Sequence, residues 1–366
     1  MKTFTCLTFT GLLFACLLSC KKSAPVPNQG SNGTTGTTGT TGTTGTTGTT
    51  GTSGTLQTDI YYVGYINKNQ TDVNHAELWK NGILTPLSNT LSAASNIWVS
   101  KGNTYICGYE TVTKDIYAVY WKNFESAVSL TDHTEYNSIA NDITVQGDDI
   151  LCVGNIRAPG LYQGVFWRNK AKTVLTNNGS ATRILVKGND IYITGSYTDA
   201  NNKEFACYWK NGVVHALGAN AEATGIAIDD NSNIYVCGTL NPGSNATAVY
   251  WKNDVMTTLP KTTKWAYANA IVTKGNDFYM VGSGEDDTYF GYDKAYYWVN
   301  GVQVDFSGGS ELNDIALVDT HIFITGSLLA GTQRYGRLWD GTSSIKYLVT
   351  DGQTSVFSGL YVDQHY

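Results

Sequence analysis

The stretch that decides the fold runs Ile184-Leu185-Val186-Lys187-Gly188-Asn189-Asp190-Ile191-Tyr192-Ile193-Thr194-Gly195. It resumes, after a polar connection, at Ala206-Cys207-Tyr208-Trp209-Lys210-Asn211-Gly212. Two short apolar runs rich in β-branched and aromatic residues flank a turn whose Gly and Asn accept positive φ. A third run ends in Trp, and a Lys-Asn-Gly turn passes to a short fourth strand. Four strands joined this way, with long-range order carried by a repeat, make one blade of a β-propeller.

Outward from this stretch the same unit recurs. Its Trp returns as Trp79, Trp121, Trp167, Trp209, Trp251, Trp298 and Trp339, at spacings of 42, 46, 42, 42, 47 and 41. Three residues before each stands Ala or Gly: Ala76, Ala118, Gly164, Ala206, Ala248, Ala295, Gly336. A Gly closes each second strand: Gly64, Gly108, Gly154, Gly195, Gly238, Gly282, Gly326. The first unit begins at its second strand, Thr58-Asp59-Ile60-Tyr61-Tyr62-Val63-Gly64, while Ser358-Gly359-Leu360-Tyr361-Val362-Asp363 matches the missing first strand. The expectation is all-β: a seven-bladed β-propeller over residues 57–366, four antiparallel strands per blade, with the C-terminal strand completing the first blade and leaving no open edge.

The chain resembles seven-bladed propellers of the WD-repeat and kelch kind in period and strand count. It does not repeat the Trp-Asp and Gly-His pairs of the first or the double glycine of the second. The phrase Tyr208-Trp209-Lys210-Asn211-Gly212 resembles that of repeat proteins of bacterial envelopes. The resemblance implies an architecture and no activity.

Ahead of the propeller, residues 1–19 carry Lys2 and then an apolar run too short to span a bilayer comfortably, as an export signal does. Leu17-Leu18-Ser19-Cys20 resembles the lipobox of bacterial lipoproteins, which implies cleavage before Cys20, lipid on Cys20 and a membrane partner. Lys21 and Lys22 follow with no Asp at the second position, which favours the outer membrane, facing either the periplasm or the outside. Within residues 20–56, Gly-Thr-Thr repeats from Gly33 to Gly51 with no apolar residue to bury. Such a segment is a flexible tether, about 33 Å from end to end for residues 21–56 as a coil.

Composition narrows the partners. The chain has 24 basic and 30 acidic residues, a net charge of −6, so phosphate backbones are repelled and nucleic acid is not expected. Cys107, Cys152, Cys207 and Cys237 each take a small apolar slot of the repeat and read as buried free thiols. His75, His133, His215, His321 and His365 fall at five different repeat positions, so they converge on no metal or catalytic cluster. No metal and no cofactor are expected, and a monomer is.

The candidate site is the face bearing the loops before strand one and between strands two and three. A small polar residue precedes each inner strand (Ser95, Asn141, Thr182, Thr224, Asn269, Asn313, Ser358), where bonding between blades accounts for it. Next to these, Asn96, Asp142, Arg183 and Asp314 vary, and scaffold symmetry does not require them, so they are binding candidates at the channel mouth. The second-to-third loops are rich in Tyr, with Tyr65, Tyr109, Tyr197, Tyr289 and Tyr292 as candidate contacts for a protein or glycan. Glu285-Asp286-Asp287 reads as a solvated acidic loop rather than a calcium site. The reading is a tethered binding or scaffolding module. Its alternative is a polysaccharide hydrolase or lyase, for which Asp142 and Asp314, four blades apart, are poorly placed.

Overall fold

The structure is a computed structural model that describes residues 56–67, 73–132, 135, 137–158, 161–243, 245–286, 294–342, 344–348 and 353–365. Two units are distinguished: residues 1–57 with 365–366, of which Leu56, Gln57 and His365 are described, and Thr58–Gln364. The second unit holds seven four-stranded sheets, each a blade. From the channel outward, blade 4 runs Gly179–Lys187, Asp190–Thr198, Glu204–Lys210 and Val213–Ala219. The inner strands of blades 2, 3, 5, 6 and 7 are Ser92–Ser100, Ser138–Gln146, Ala221–Ile228, Trp265–Lys274 and Glu311–Val318.

Blade 1 takes its inner strand, Thr354–His365, from the far end of the chain and sets it beside Gln57–Asn67. Phe357 fixes that strand: its ring lies 4.7 Å from Tyr62 and 4.6 Å from Trp79, between centroids, and it is fully buried. Ring closure by the C-terminal strand is as the sequence indicates.

The three repeated markers have one physical explanation each. All seven Trp side chains are at most 4% exposed, and each lies in an apolar cluster with residues of the preceding blade. Trp121 shares a cluster with Ala76, Trp167 with Ala118, Trp251 with Ala206 and Trp298 with Ala248. The small residue of one blade thus leaves room for the Trp of the next. Burying a Trp removes ~200 Å² from water, about 5 kcal/mol of gross stabilisation.

The Gly marker answers to a β-bulge. In blades 2 to 7 the inner strand carries one extra residue at Ser95, Asn141, Thr182, Thr224, Asn269 and Asn313, where the pairing register shifts. Two residues earlier, the inner strand's carbonyl oxygen presses against strand two. A Cβ on the seven marker glycines would lie 1.9–2.0 Å from that oxygen. The bulge and the Gly therefore belong together.

The Asn of the turn after strand three, Lys-Asn-Gly at Asn81 and Asn211, does more than accept positive φ, which is 47–52° at Asn81, Asn123, Asn169, Asn211, Asn253 and Asn300. Its Oδ1 accepts the second strand's amide (Ile60, Thr104, Ile150, Ile191, Ile234, Phe278) at 2.9 Å. Its Nδ2 donates at 2.5–2.8 Å to Asp59, Asn103, Asp149, Asp190, Asn233 or Asp277. Replacing Asn211 by Ala removes both bonds and leaves a β-carbon at positive φ. The expected loss is about 2 kcal/mol, measured by urea unfolding.

Candidate functional site

The polar residues expected just ahead of the inner strands lie inside them. Each inner strand begins two to four residues before its bulge, and in blades 3 to 7 the bulged side chain reaches the next blade. Asn141 donates to the Ala181 carbonyl, Thr182 to Ala223, Thr224 to Ala268, Asn269 to Leu312 and Asn313 to Phe357, at 2.7–2.9 Å. A belt of side-chain bonds thus ties blades 3 through 1, each ending on the carbonyl just before the next small polar residue. For these five of the seven residues, this is the scaffold role the sequence suggested.

The residue after each bulge forms a second layer: Gly359, Asn96, Asp142, Arg183, Gly225, Ala270 and Asp314. Asp142 Oδ1 accepts from Asn96 Nδ2 at 2.7 Å and from the Ile143 amide at 2.8 Å, and its Oδ2 accepts the Ile184 amide at 2.8 Å. Asp314 repeats the pattern, Oδ1 on the Ile315 amide and Oδ2 on the Leu360 amide, both at 3.1 Å. Each carboxylate therefore staples its own blade to the next one. Arg183 leaves blade 4 and crosses to blade 7, where Nη2 lies 3.5 Å from Asp314 Oδ1 and from the Asn313 carbonyl. Asp142 in blade 3 and Asp314 in blade 7 are four blades apart through blades 4 to 6 and three through blades 1 and 2, and Arg183 interacts with both charges.

Burial pushes the Asp142 carboxyl up to about 6 against the pull of Arg183 and the two amides. Burial raises Asp314 too, against the same Arg183. For Arg183 burial opposes the charge, but Asp314 and Asp142 outweigh it and the guanidinium is held charged. Gly225 and Ala270 contribute no bulk on their side. The layer borders a cavity of about 190 Å³, which continues along the channel to Trp98, Val272 and Tyr361.

Of the tyrosine candidates, Tyr65, Tyr109 and Tyr197 belong to second strands, not to loops: the strands Gln57–Asn67, Asn103–Val112 and Asp190–Thr198 outrun the Gly marker. Tyr65 is only 8% exposed and packs on Ala93 and Val356, with Tyr109 against the same cluster. Tyr197 is half-buried and stacks on Phe205, centroids 5.4 Å apart. Tyr162, the second residue of the strand Leu161–Arg168, is 49% exposed at the loop end. Tyr289, Tyr292 and Cys20 lie outside the described residues. Asn96, Asp142, Arg183 and Asp314 are brought together; the tyrosines form a separate, outer set.

Sequence reasoning missed a mouth layer two residues before each bulge, because those residues were taken for connections. It holds Glu222, Tyr267 and Glu311 on three successive blades. Glu311 accepts from Arg334 at 3.0 Å and from Ser327 at 3.2 Å. Tyr267 donates to Glu285 at 3.1 Å, and Asp286 accepts the Lys264 amide at 2.6 Å, so two of the acidic-loop residues are engaged within the protein. Burial, with Glu204 nearby, pushes the Glu222 carboxyl up to about 7, and its side chain makes no hydrogen bond among the described residues. Cys107, Cys152, Cys207 and Cys237 are buried free thiols, with burial pushing each up.

Comparison with known proteins extends the architecture only. A β-propeller repeat family matches residues 214–239, the outer strand of blade 4 and the first two strands of blade 5. No curated protein matches the chain. Among solved structures, TolB from Acinetobacter baumannii is similar at 11% identity, covering 83% of this chain and 82% of its own, with a TM-score of 0.45. The β-propeller domain of the trilobed protease from Pyrococcus furiosus gives 10% identity, 79% and 94% coverage and a TM-score of 0.46. A thermostable family-43 glycoside hydrolase gives 10%, 62% and 88%, and 0.33.

Proposed function

We propose that this chain is a binding and scaffolding propeller, not an enzyme, held at the outer membrane by lipid on Cys20 and facing the periplasm or the outside. The Leu17–Cys20 box and the Gly-Thr-Thr run support the anchor and its reach. Its partner is a protein or a glycan, met on the loop face.

One observation carries the binding reading over a catalytic one. Both channel carboxylates are fastened by amide N–H groups of two blades and flanked by one arginine. Burial raises both carboxyls, but a general acid must also aim its oxygen at a substrate, and here each carboxylate oxygen is turned onto a backbone amide of the scaffold. Asp142 and Asp314 therefore serve as staples.

The test is a glycan array and an envelope-protein pull-down with the full-length chain and with Tyr197→Ala. Saturable capture weakened at least about tenfold by Tyr197→Ala fits a stacking contact on the loop face. Capture untouched by that change moves the partner off this face.

A second reading, a polysaccharide hydrolase or lyase, is favoured by Glu222, whose carboxyl, unlike that of Asp142, makes no hydrogen bond among the described residues. A carboxyl pushed up to about 7, beside Glu204, has the poise of a general acid.

A further inference from the structure

The channel cavity differs from the loop face in chemistry and goes beyond the reading above. Its layer of Asn96, Asp142, Arg183 and Asp314 is not symmetric with the other blades, where Gly225, Ala270 and Gly359 stand at the same position. Stapling two blade boundaries explains the carboxylates. It does not explain Arg183. Among the described residues its hydrogen-bond and ion-pair contacts are the two 3.5 Å approaches of Nη2, and neither Nε nor Nη1 donates a hydrogen bond. A half-buried guanidinium with open donors beside a cavity is a polar group waiting for an acceptor.

The acceptors are nearby as well. Asp142 Oδ2 and Asp314 Oδ2 each take a single amide, which leaves room for a further donor on each oxygen. Also lining the cavity, Trp98, two residues beyond Asn96 on the same strand, and Tyr361, next to Leu360, meet edge-on, centroids 5.1 Å apart, and both are partly exposed. The cavity therefore offers donors, acceptors and an aromatic wall within about 190 Å³.

Charge selects among ligands. An anion drawn to Arg183 meets two carboxylates, and a cation drawn to these meets Arg183. A neutral molecule whose hydroxyls donate and accept, with an apolar face for the aromatic wall, meets no like charge. The volume admits one ring and not a chain. We infer that the channel of this propeller is a binding site for a single neutral sugar ring, with hydroxyls on Arg183 and Asp314 and one face against Trp98.

The experiment is calorimetric titration of the full-length chain with methyl glucoside, methyl galactoside and N-acetylglucosamine, and with glucuronate and glucosamine as charged counterparts. At least one neutral sugar is expected to bind at least about tenfold tighter than either charged one, since like-charge contacts are costly. Trp98→Leu and Arg183→Met should each weaken that sugar at least about tenfold, while Tyr197→Ala leaves it unchanged. The comparison of neutral with charged sugars uses the unmodified chain, so it decides even if a variant fails to fold. Equal binding of charged and neutral sugars, or no monosaccharide binding at millimolar concentration, overturns the inference. Sugar binding that Tyr197→Ala removes and Trp98→Leu leaves intact overturns it too, while supporting the loop-face reading. Failure of that reading shows instead as partner capture indifferent to Tyr197.

Discussion

Gly238→Ala is expected to destabilise the propeller by about 3 kcal/mol or more, a large effect for one methyl group. The added Cβ would sit 2.0 Å from the Glu222 carbonyl oxygen and 3.0 Å from its carbon, and both are backbone atoms of the bulged inner strand. No rotamer relieves that contact. The strands must part or the bulge must flatten, and flattening would draw Thr224 away from the Ala268 carbonyl of blade 6. Gly188→Ala is the control: its φ is +63° and nothing lies within 4 Å of the added carbon, so only the cost of a left-handed residue remains, about 1 kcal/mol. Urea unfolding of the two variants checks this. Equal losses would mean that the strand-two glycine is not fixed by the bulge.

Glu222→Gln is expected to stabilise the protein at pH 8 and to leave it unchanged at pH 4. Burial first, and Glu204 second, push the folded carboxyl up to about 7 from 4.5. Between those values the folded state holds the proton that the unfolded chain releases, so stability falls as pH rises through the window. Above pH 7 the whole penalty is present, up to about 3 kcal/mol for a shift of this size. Gln keeps the shape without the charge. Thermal unfolding from pH 4 to pH 8 should show the two curves diverging upward in pH. A constant gap would contradict the assignment.

The architecture was legible because its causes repeat. Seven Trp side chains need seven small residues to pack on, and seven inner-strand carbonyls press on seven glycines, so each constraint is written seven times. The inner-strand boundaries were not legible. Ser95, Asn141 and their counterparts look like connection residues, since a polar residue in mid-strand has no place in simple alternation. The bulge makes that place. Reading Ser138-Ile139-Ala140 as a connection hid the mouth layer, and with it Glu222 and Glu311. Asn96, Asp142, Arg183 and Asp314 could be singled out because they break a symmetry. That Arg183 crosses the channel to Asp314 could not, for no periodicity relates side chains of blades 4 and 7. Tyr65 and Tyr109 were misplaced for a simpler reason: the Gly marker looks like a strand end, and the strand runs on past it.

The central claim, binding without catalysis, is tested most directly by incubating the full-length chain with whichever glycan it retains on the array and assaying for new reducing ends and unsaturated products. The account predicts saturable binding and no product, unchanged from pH 5 to pH 8. Turnover that disappears in Glu222→Gln would contradict it and establish the hydrolase or lyase reading.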